Sequence, residues 1–78
     1  MKEIFFLNND DRIVLCSSKY IKIWNLESNE IINIIYDTYY IHKIKLSLDN
    51  KLIITHNSEK EIKIYDVVRG MLMTTIND

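Results

Sequence analysis

Residues 62–67, with the sequence IKIYDV, repeat the pattern of residues 21–26, with the sequence IKIWNL. The two stretches begin at positions 21 and 62, which are 41 positions apart, and such a distance is typical of repeated four-stranded units. In each copy, apolar residues alternate with lysine before an aromatic residue, and a short polar residue follows. This alternation predicts a strand on a pleated, half-buried surface, with a turn at the Asn or Asp that ends it.

The same alternation, interrupted by turn residues, predicts eight strands. The first four are residues 3–7, 12–17, 20–26 and 31–36, and the second four are residues 41–46, 51–56, 61–67 and 71–76. Asn, Asp and Ser must form the turns, because the chain has one glycine and no proline. We therefore expect an all-β fold of two four-stranded antiparallel units, residues 1–37 and 38–78.

The alignment of the two units predicts how they correspond. Residues 10–15 match residues 49–54 at an offset of 39, and the aromatic strands match at an offset of 41. A connection two residues longer in the second unit accounts for the difference. At these offsets Cys16 corresponds to Thr55, and Trp24 corresponds to Tyr65. We expect Trp24 to fill a core aromatic site.

A helix is the alternative for one segment. Ile31, Ile32, Ile34 and Ile35 also have the spacing of a helix face, and Ser28 is a candidate cap. The β-branched composition of this segment favours a strand. Its match to residues 71–76, where helical periodicity is poor, favours a strand as well.

Composition sets limits on the class of protein. The chain has 78 residues, 47% of them hydrophobic, which is enough for one small domain with little stability in reserve. Ten Lys or Arg residues and eleven Asp or Glu residues give a net charge of −1. This charge provides no strong field for nucleic acid or an anionic membrane, and we expect neither as a partner.

The single cysteine, Cys16, cannot form an intramolecular disulfide, and this favours a reducing compartment. The N-terminal apolar run, residues 4–7, is shorter than the roughly 7–15 apolar residues of a signal peptide or the about 20 of a membrane helix. We expect an intracellular location, cytoplasmic with a nuclear location as the alternative.

Nearly the whole chain resembles two consecutive repeats of the WD-repeat family, whose members form β-propellers. Residues 36–50 are similar to the family's stretch from a Gly-His pair to a Ser-Pro-Asp-Gly turn, in which Ser47 and Asp49 match the turn. Residues 21–26 and 62–67 are similar to its closing Trp-Asp strand. The first of these keeps Trp24 and the second keeps Asp66. The resemblance implies that each unit is a propeller blade.

The resemblance also indicates where the family's structural tetrad has changed. That tetrad joins a His, a strand Ser or Thr, a turn Asp and the Trp by hydrogen bonds. In the second repeat these positions fall on Asp37, Thr55, Glu59 and Tyr65, and in the first repeat the last three fall on Cys16, Ser18 and Trp24. Such departures imply blades held more by apolar packing than by a buried polar network.

Two blades leave a propeller open. A closed propeller has about four to eight blades, so both terminal sheet faces lack a neighbour. We expect further blades to come from other copies of this chain, as a homo-oligomer, or from a longer protein.

Catalytic and metal-binding candidates are few. Only Cys16, His42 and His56 could supply a nucleophile, a base or zinc ligands, and none of them is paired in sequence as structural zinc ligands usually are. A hydrolase or metal enzyme that uses Cys16 and His56 is the least favoured alternative. We expect no catalytic residue, no metal and no cofactor.

Lysines and tyrosines are the remaining candidates. Lys22, Lys43, Lys45 and Lys63 alternate with apolar residues, which favours solvated strand positions over a phosphate-binding face. Tyr36, Tyr39 and Tyr40 either pack between the blades or form an interface, since Tyr suits both.

Family resemblance therefore implies a non-catalytic protein–protein interaction module, a partial propeller that serves as a scaffold. The alternative is a small structural subunit whose propeller is completed by other chains. The sequence identifies no partner.

Overall fold

A computed structural model of the protein describes residues 3–6 and 12–77. This part of the chain forms two four-stranded antiparallel sheets and contains no helix. The first sheet consists of β1 (Glu3–Phe6), β2 (Arg12–Cys16), β3 (Tyr20–Asn25) and β4 (Glu30–Tyr36). The second consists of β5 (Ile41–Leu46), β6 (Leu52–Asn57), β7 (Glu61–Asp66) and β8 (Met71–Asn77). The predicted all-β fold of two antiparallel units is confirmed.

Strand boundaries agree with the predicted ones to within one residue wherever they can be compared. The predicted end of the first strand, Leu7, lies outside the described residues. The helical alternative for residues 31–35 is wrong, because these residues lie inside β4. A bulge opposite Ile23 and Trp24 interrupts the alternation of their side chains, so that Ile31 and Ile34 lie on one face of the first sheet and Ile35 lies on the other.

The hydrophobic core lies between the two sheets. Each sheet therefore has an inner face, which packs against the other sheet, and an outer face. The core is a single cluster drawn from both sheets: Val14, Cys16, Ile21, Ile23 and Ile35 from the first, and Ile41, Ile44, Ile53, Tyr65 and Val67 from the second. Phe5 and Leu46 pack against this cluster.

Strand register shows how the two units correspond. Ile13 pairs with Trp24 across β2 and β3, and Ile53 pairs with Tyr65 across β6 and β7. Ile53 lies 40 positions after Ile13, whereas Tyr65 lies 41 positions after Trp24. The bulges in the two units, at Ile23/Trp24 and Ile64/Tyr65, also lie 41 positions apart.

The offset of 39 predicted for the start of the units is therefore wrong for β2 and β6. The correct offset is 40, and the segment between the paired residues His56 and Ile62 is one residue longer than that between Cys16 and Ile21, not two. The error has a physical reason. Ile13, Val14 and Leu15 are all apolar, so β2 lacks the alternation that reveals which residues share a face.

The repeat position shared by Trp24 and Tyr65 faces the core in only one of the two sheets. Cross-strand neighbours lie on the same face of a sheet. Tyr65 lies on the inner face of the second sheet and is 3% exposed. Trp24 has the same repeat position but lies on the outer face of the first sheet, where it is half-buried. The expectation that Trp24 fills a core site is wrong.

Residue correspondences in β2 change as well. Thr55 corresponds to Leu15, and Cys16 corresponds to His56, so the predicted match of Cys16 with Thr55 is wrong. The two sheets thus pack together through faces that are not repeat counterparts of each other. The inner face of the second sheet has its repeat counterpart on the outer face of the first.

One type of turn recurs between the last two strands of each sheet. In the first sheet, the Asn25 side chain accepts hydrogen bonds from the backbone N–H groups of residues 27 and 28 at 2.9 and 3.2 Å. In the second, Asp66 accepts one from the N–H of Arg69 at 3.0 Å. Each turn ends in a left-handed residue, Asn29 with φ 59° and Gly70 with φ 66°.

Gly70 also fits closely against the first sheet. A β-carbon at this position would lie 2.6 Å from Cγ of Asn33, closer than real Cβ contacts. The only glycine of the chain therefore meets two demands, a left-handed backbone and a close approach between the sheets.

Candidate functional site

Three connections are joined by backbone hydrogen bonds at one end of the sheets. They are residues 17–19, 37–40 and 58–60, which together we term the loop end. The N–H of Asp37 donates to the carbonyl of Lys19, and the N–H of Ile41 donates to that of Ser18, both at 2.8 Å. The N–H of Ser58 donates to the carbonyl of Tyr40 at 2.8 Å. These bonds hold loops from both sheets in one arrangement.

A buried carboxylate anchors the loop end. Asp37 follows β4 and is 5% exposed. Its Oδ1 accepts a hydrogen bond from the N–H of Tyr39 at 3.0 Å. Its Oδ2 accepts one from Nδ2 of Asn57 at 3.2 Å, and Nζ of Lys63 lies 3.4 Å from Oδ1. A buried charge is stable only when it is paired and hydrogen-bonded, and Asp37 meets both conditions.

Asn57, at the end of β6, connects this carboxylate to the next turn. Its Nδ2 also donates to Oε1 of Glu61 at 2.8 Å, while its Oδ1 accepts from the N–H groups of Glu59 and Glu61 at 3.0 and 3.1 Å. The Glu61 carboxylate lies 3.8 Å from Nζ of Lys63. One buried amide thus fixes the connection between β6 and β7 against the loop that joins the sheets.

The network sets the charge state of Asp37. Burial alone would raise the pKa of its carboxyl group. The hydrogen bonds from Tyr39 and Asn57, together with the Lys63 ammonium, outweigh burial and hold this pKa below its ordinary value. Asp37 is therefore a carboxylate at neutral pH. Its contacts are saturated by the protein, which is the arrangement of a structural anchor.

Tyr65 and Thr55 lie on the inner face of the second sheet beside this network. Burial raises the pKa of Tyr65 to about 12, and the negative charge of Asp37 adds to the rise. Thr55 is 1% exposed, and its side chain, next to Tyr65, partly offsets this rise in the Tyr65 pKa. Both side chains belong to the packed junction between the sheets.

Two positions that the resemblance predicts for the tetrad can be compared with this network. Asp37 lies where the resemblance predicts the His, while Glu59, predicted at the turn position, is exposed. Asp37 contacts Asn57 and Lys63, neither of which the resemblance places in the tetrad. The second blade therefore has a buried polar network beside its apolar core.

Sequence reasoning missed two residues of the network. Asn57 follows an apolar run and resembled a turn residue. Lys63 repeats Lys22 and resembled a solvated lysine, but its side chain is only 17% exposed and pairs with Asp37. Lys43 and Lys45, by contrast, are exposed as predicted.

Predicted interface tyrosines are exposed at or beside the loop end. Tyr36 is 72%, Tyr39 39% and Tyr40 59% exposed. Nζ of Lys19 lies 4.7 Å from the ring centroid of Tyr40, a cation–π distance. The ring centroids of Tyr20 and Tyr36 lie 6.3 Å apart. The packed loops present Tyr39 and Tyr40 to solvent, whereas Tyr20 and Tyr36 are strand residues on the outer face of the first sheet.

The remaining predicted repeat residues lie at the opposite end of the sheets. Asp49 accepts hydrogen bonds from the Ser47 hydroxyl and, at 3.0 Å, from the N–H of Lys51, while Ser47 Oγ accepts from the N–H of Leu52 at 3.0 Å. These bonds close the turn between β5 and β6 and lower the pKa of Asp49. Asp66 closes the neighbouring turn, and all three residues have structural contacts.

Cys16 and His56 are not brought together. Cys16 lies on the inner face of the first sheet, 2% exposed, and its Sγ donates to the carbonyl of Ser17 at 3.4 Å. Burial and the Glu3 carboxylate raise its pKa to about 11, so the nucleophilic thiolate is disfavoured. His56 lies on the outer face of the second sheet, so that sheet separates the two side chains.

Both outer faces lack a neighbour among the described residues. The first outer face consists mainly of Ile4, Ile13, Leu15, Tyr20, Lys22, Trp24, Ile31, Ile34 and Tyr36. The second outer face consists of Lys43, Lys45, Ile54, His56, Ile62, Ile64 and Ile76. A shallow groove of about 280 Å³ lies on the second outer face, lined mainly by Lys43, Lys45, Ile54, His56 and Ile62.

Two other features are absent from residues 3–6 and 12–77. No three His, Cys, Asp or Glu side chains are grouped there so as to hold a metal ion. That part of the chain also has no helix long and apolar enough to cross a membrane.

Solved structures with the same architecture are WD40 repeat domains. The WD40 repeats of RRP9 superpose with a TM-score of 0.84 at 17% identity, over 96% of this chain and 25% of that chain. The C-terminal WD40 domain of Sif2 gives 0.84 at 17%, over 97% and 24%. A chain of the mitotic checkpoint complex gives 0.75 at 20%, over 92% and 22%. No family model and no curated protein matches the sequence.

These likenesses define the fold. The chain has the architecture of two consecutive WD40 propeller blades. It spans about a quarter of the length of the chains with which it superposes.

Proposed function

We propose that the protein is a non-catalytic interaction module that binds a protein partner at its loop end. The observation that carries this proposal is the pairing of a rigid base with exposed aromatic rings. Asp37, Asn57 and Lys63 fix the loops, and the loops present Tyr39 and Tyr40 to solvent. Tyrosines on a fixed backbone lose little entropy on binding, and they are enriched at interfaces.

Charge and chemistry support a protein partner over other classes. The net charge of −1 provides no basic footprint for nucleic acid. A buried Cys16 with a raised pKa, separated from His56, supports a binding role over hydrolysis. Solved WD40 neighbours include a chain of a multiprotein complex, which agrees with a scaffold by analogy of fold. The single cysteine supports an intracellular location.

Site-specific photocrosslinking tests this proposal. A photoreactive phenylalanine analogue is placed at Tyr40, and in a control at Leu48, which is fully exposed in a turn at the opposite end. We expect a protein adduct from position 40 and none from position 48. The partner, identified by mass spectrometry and purified, should bind the Tyr39→Ala/Tyr40→Ala variant more weakly by roughly tenfold or more, as loss of an aromatic anchor predicts. Adducts at position 48 alone would exclude the loop end.

A second candidate, favoured by the two uncovered outer faces, is a structural subunit whose propeller is completed by other chains. The two candidate functions differ in the surface that the partner contacts. Docking at the loop end leaves the sheet faces free, whereas completion of the propeller covers them.

A further inference from the structure

The junction between the two sheets provides a template for a second junction. The inner face of the first sheet packs against the inner face of the second. The repeat counterpart of the first sheet's inner face is the second outer face. The repeat counterpart of the second sheet's inner face is the first outer face. Each of the two faces that form the junction between the sheets therefore has a repeat counterpart on an outer face, which no described residue covers.

The first outer face has the chemistry of a junction that lacks its partner. Ile53, Thr55 and Tyr65, on the inner face of the second sheet, are at most 3% exposed. Their counterparts Ile13, Leu15 and Trp24 are only half-buried. Two of these three replacements make the first outer face more apolar, since Leu15 stands for Thr55 and Trp24 for Tyr65. Ile4, Ile31 and Ile34 extend it, and they are 59%, 40% and 40% exposed.

The second outer face keeps the apolar positions that this junction uses. The inner face of the first sheet offers Val14, Ile21, Ile23 and Ile35 to the second sheet. Their counterparts are Ile54, Ile62, Ile64 and Ile76. All four positions remain aliphatic and β-branched, although nothing in the described chain covers them.

Residues around these four positions suit an aromatic partner. The groove on the second outer face has Ile54 and Ile62 in its lining and Lys43 and Lys45 beside them. Both lysines are exposed. Ammonium groups next to an apolar groove favour an indole ring over an aliphatic side chain, because the ring also makes cation–π contacts.

From this correspondence we propose that the first outer face binds the second outer face of another copy of the same chain, head to tail. This inference rests on the second candidate function and names the partner. Each added copy then continues the stacking of unlike faces already present between the two sheets. A contact of this kind is heterologous and closes into a ring when the rotation permits. With two blades per chain, rings of two to four copies have four to eight blades.

Face-specific variants test the proposal. Trp24→Glu places a charge on the first outer face, and Ile64→Glu places one on the second. Light scattering coupled to gel filtration should give two to four copies of the 9.4 kDa chain for the unmodified protein and one copy for each variant. An equal mixture of the variants should give a two-chain complex, because each supplies the face that the other has lost.

A matched control is Leu48→Glu, in a turn that belongs to neither outer face, and it should leave the assembly unchanged. A monomeric unmodified protein at several hundred micromolar would overturn the proposal and point to blades from a different polypeptide. Dissociation by Trp24→Glu but not by Ile64→Glu would overturn it in favour of a symmetric contact between first outer faces. A mixture that stays monomeric while both variants remain folded would also overturn it.

Tryptophan emission gives a second readout that needs no variant. Trp24 is the only tryptophan. Its emission should shift to shorter wavelength, and acrylamide should quench it less, as the concentration of unmodified protein rises through the assembly range. If the emission maximum does not change over a concentration range in which the mass changes, the first outer face is excluded from the contact between copies. Loop-end docking is unaffected by any of these outcomes, since the crosslinking experiment tests it separately.

Discussion

Asp37 carries a charge inside the junction of the two sheets, and its contacts make a prediction about pH. Its pKa is lower in the folded chain than the ordinary value of about 3.9 for an unfolded one. A carboxyl group with a lowered folded pKa stabilises the fold above its unfolded pKa, and this contribution is lost as the pH falls through the folded pKa.

We expect Asp37→Asn to lower the free energy of unfolding at pH 7 by about 2 kcal/mol, because Lys63 loses the nearer of its two carboxylate partners and two amide donors face each other. The difference from the unmodified protein should shrink as the pH falls below about 4. Urea unfolding at pH 7 and pH 3 measures it. Asp49→Asn, in an exposed turn, is the control and should change stability less at pH 7. A loss that is equal at both pH values would contradict the assignment.

Trp24 and Tyr65 share a repeat position but not an environment, so their truncations should differ. Tyr65→Ala should cost about 3 kcal/mol or more, as is usual for an emptied core aromatic site. For the monomer, Trp24→Ala should cost about 1 kcal/mol, since the half-buried indole leaves no closed cavity. Chemical denaturation in dilute solution measures both. Equal losses would mean that Trp24 is enclosed within the single chain.

At the scale of elements, the turn between β7 and β8 depends on Gly70. Gly70→Ala should destabilise the fold through the left-handed backbone, by about 1 kcal/mol, and further through contact with Asn33. Asn33→Ala removes the second effect only. In a double-mutant cycle, Gly70→Ala should therefore lower the free energy of unfolding less in the Asn33→Ala background than in the unmodified protein. The same loss of stability in both backgrounds would show that the Asn33 side chain moves aside freely.

The connection between β6 and β7 contains a left-handed lysine, Lys60, with φ 62°. Lys60→Gly should stabilise the protein by about 0.5 to 1 kcal/mol, because glycine adopts this conformation without a Cβ clash. Asn50, with φ 61°, is the matched control, since asparagine already tolerates the left-handed region. The midpoint of thermal unfolding should rise more for Lys60→Gly than for Asn50→Gly. The reverse order would contradict this explanation.

For the whole molecule, assembly and stability should be linked. If copies join through their outer faces, the folded state gains free energy with concentration by mass action. The melting midpoint of the unmodified chain should rise as its concentration increases, whereas that of the Trp24→Glu variant should not. Scanning calorimetry at a series of concentrations measures this difference. Identical behaviour of the two proteins would argue against association of the folded state.

The sequence was sufficient to predict the strands and the two-unit architecture, because apolar alternation and turn residues are local signals. It was insufficient where a decision depended on one residue of register. The apolar run at Ile13, Val14 and Leu15 hid the face of β2, and this error misplaced the counterparts of Cys16 and Thr55. The sequence also could not show that the Lys63 side chain contacts Asp37, because that ion pair joins residues 26 positions apart.

The extra residue between the paired residues His56 and Ile62 shows which changes of length such a chain can tolerate. Strand side chains alternate with a period of two, so one residue inserted within a strand would send every later side chain of that strand to the wrong side. The same residue placed in a turn leaves the strand phases intact. Duplicated blades can therefore diverge in turn length while their strands remain in phase, and deletion scanning should find tolerance only at the ends of the sheets.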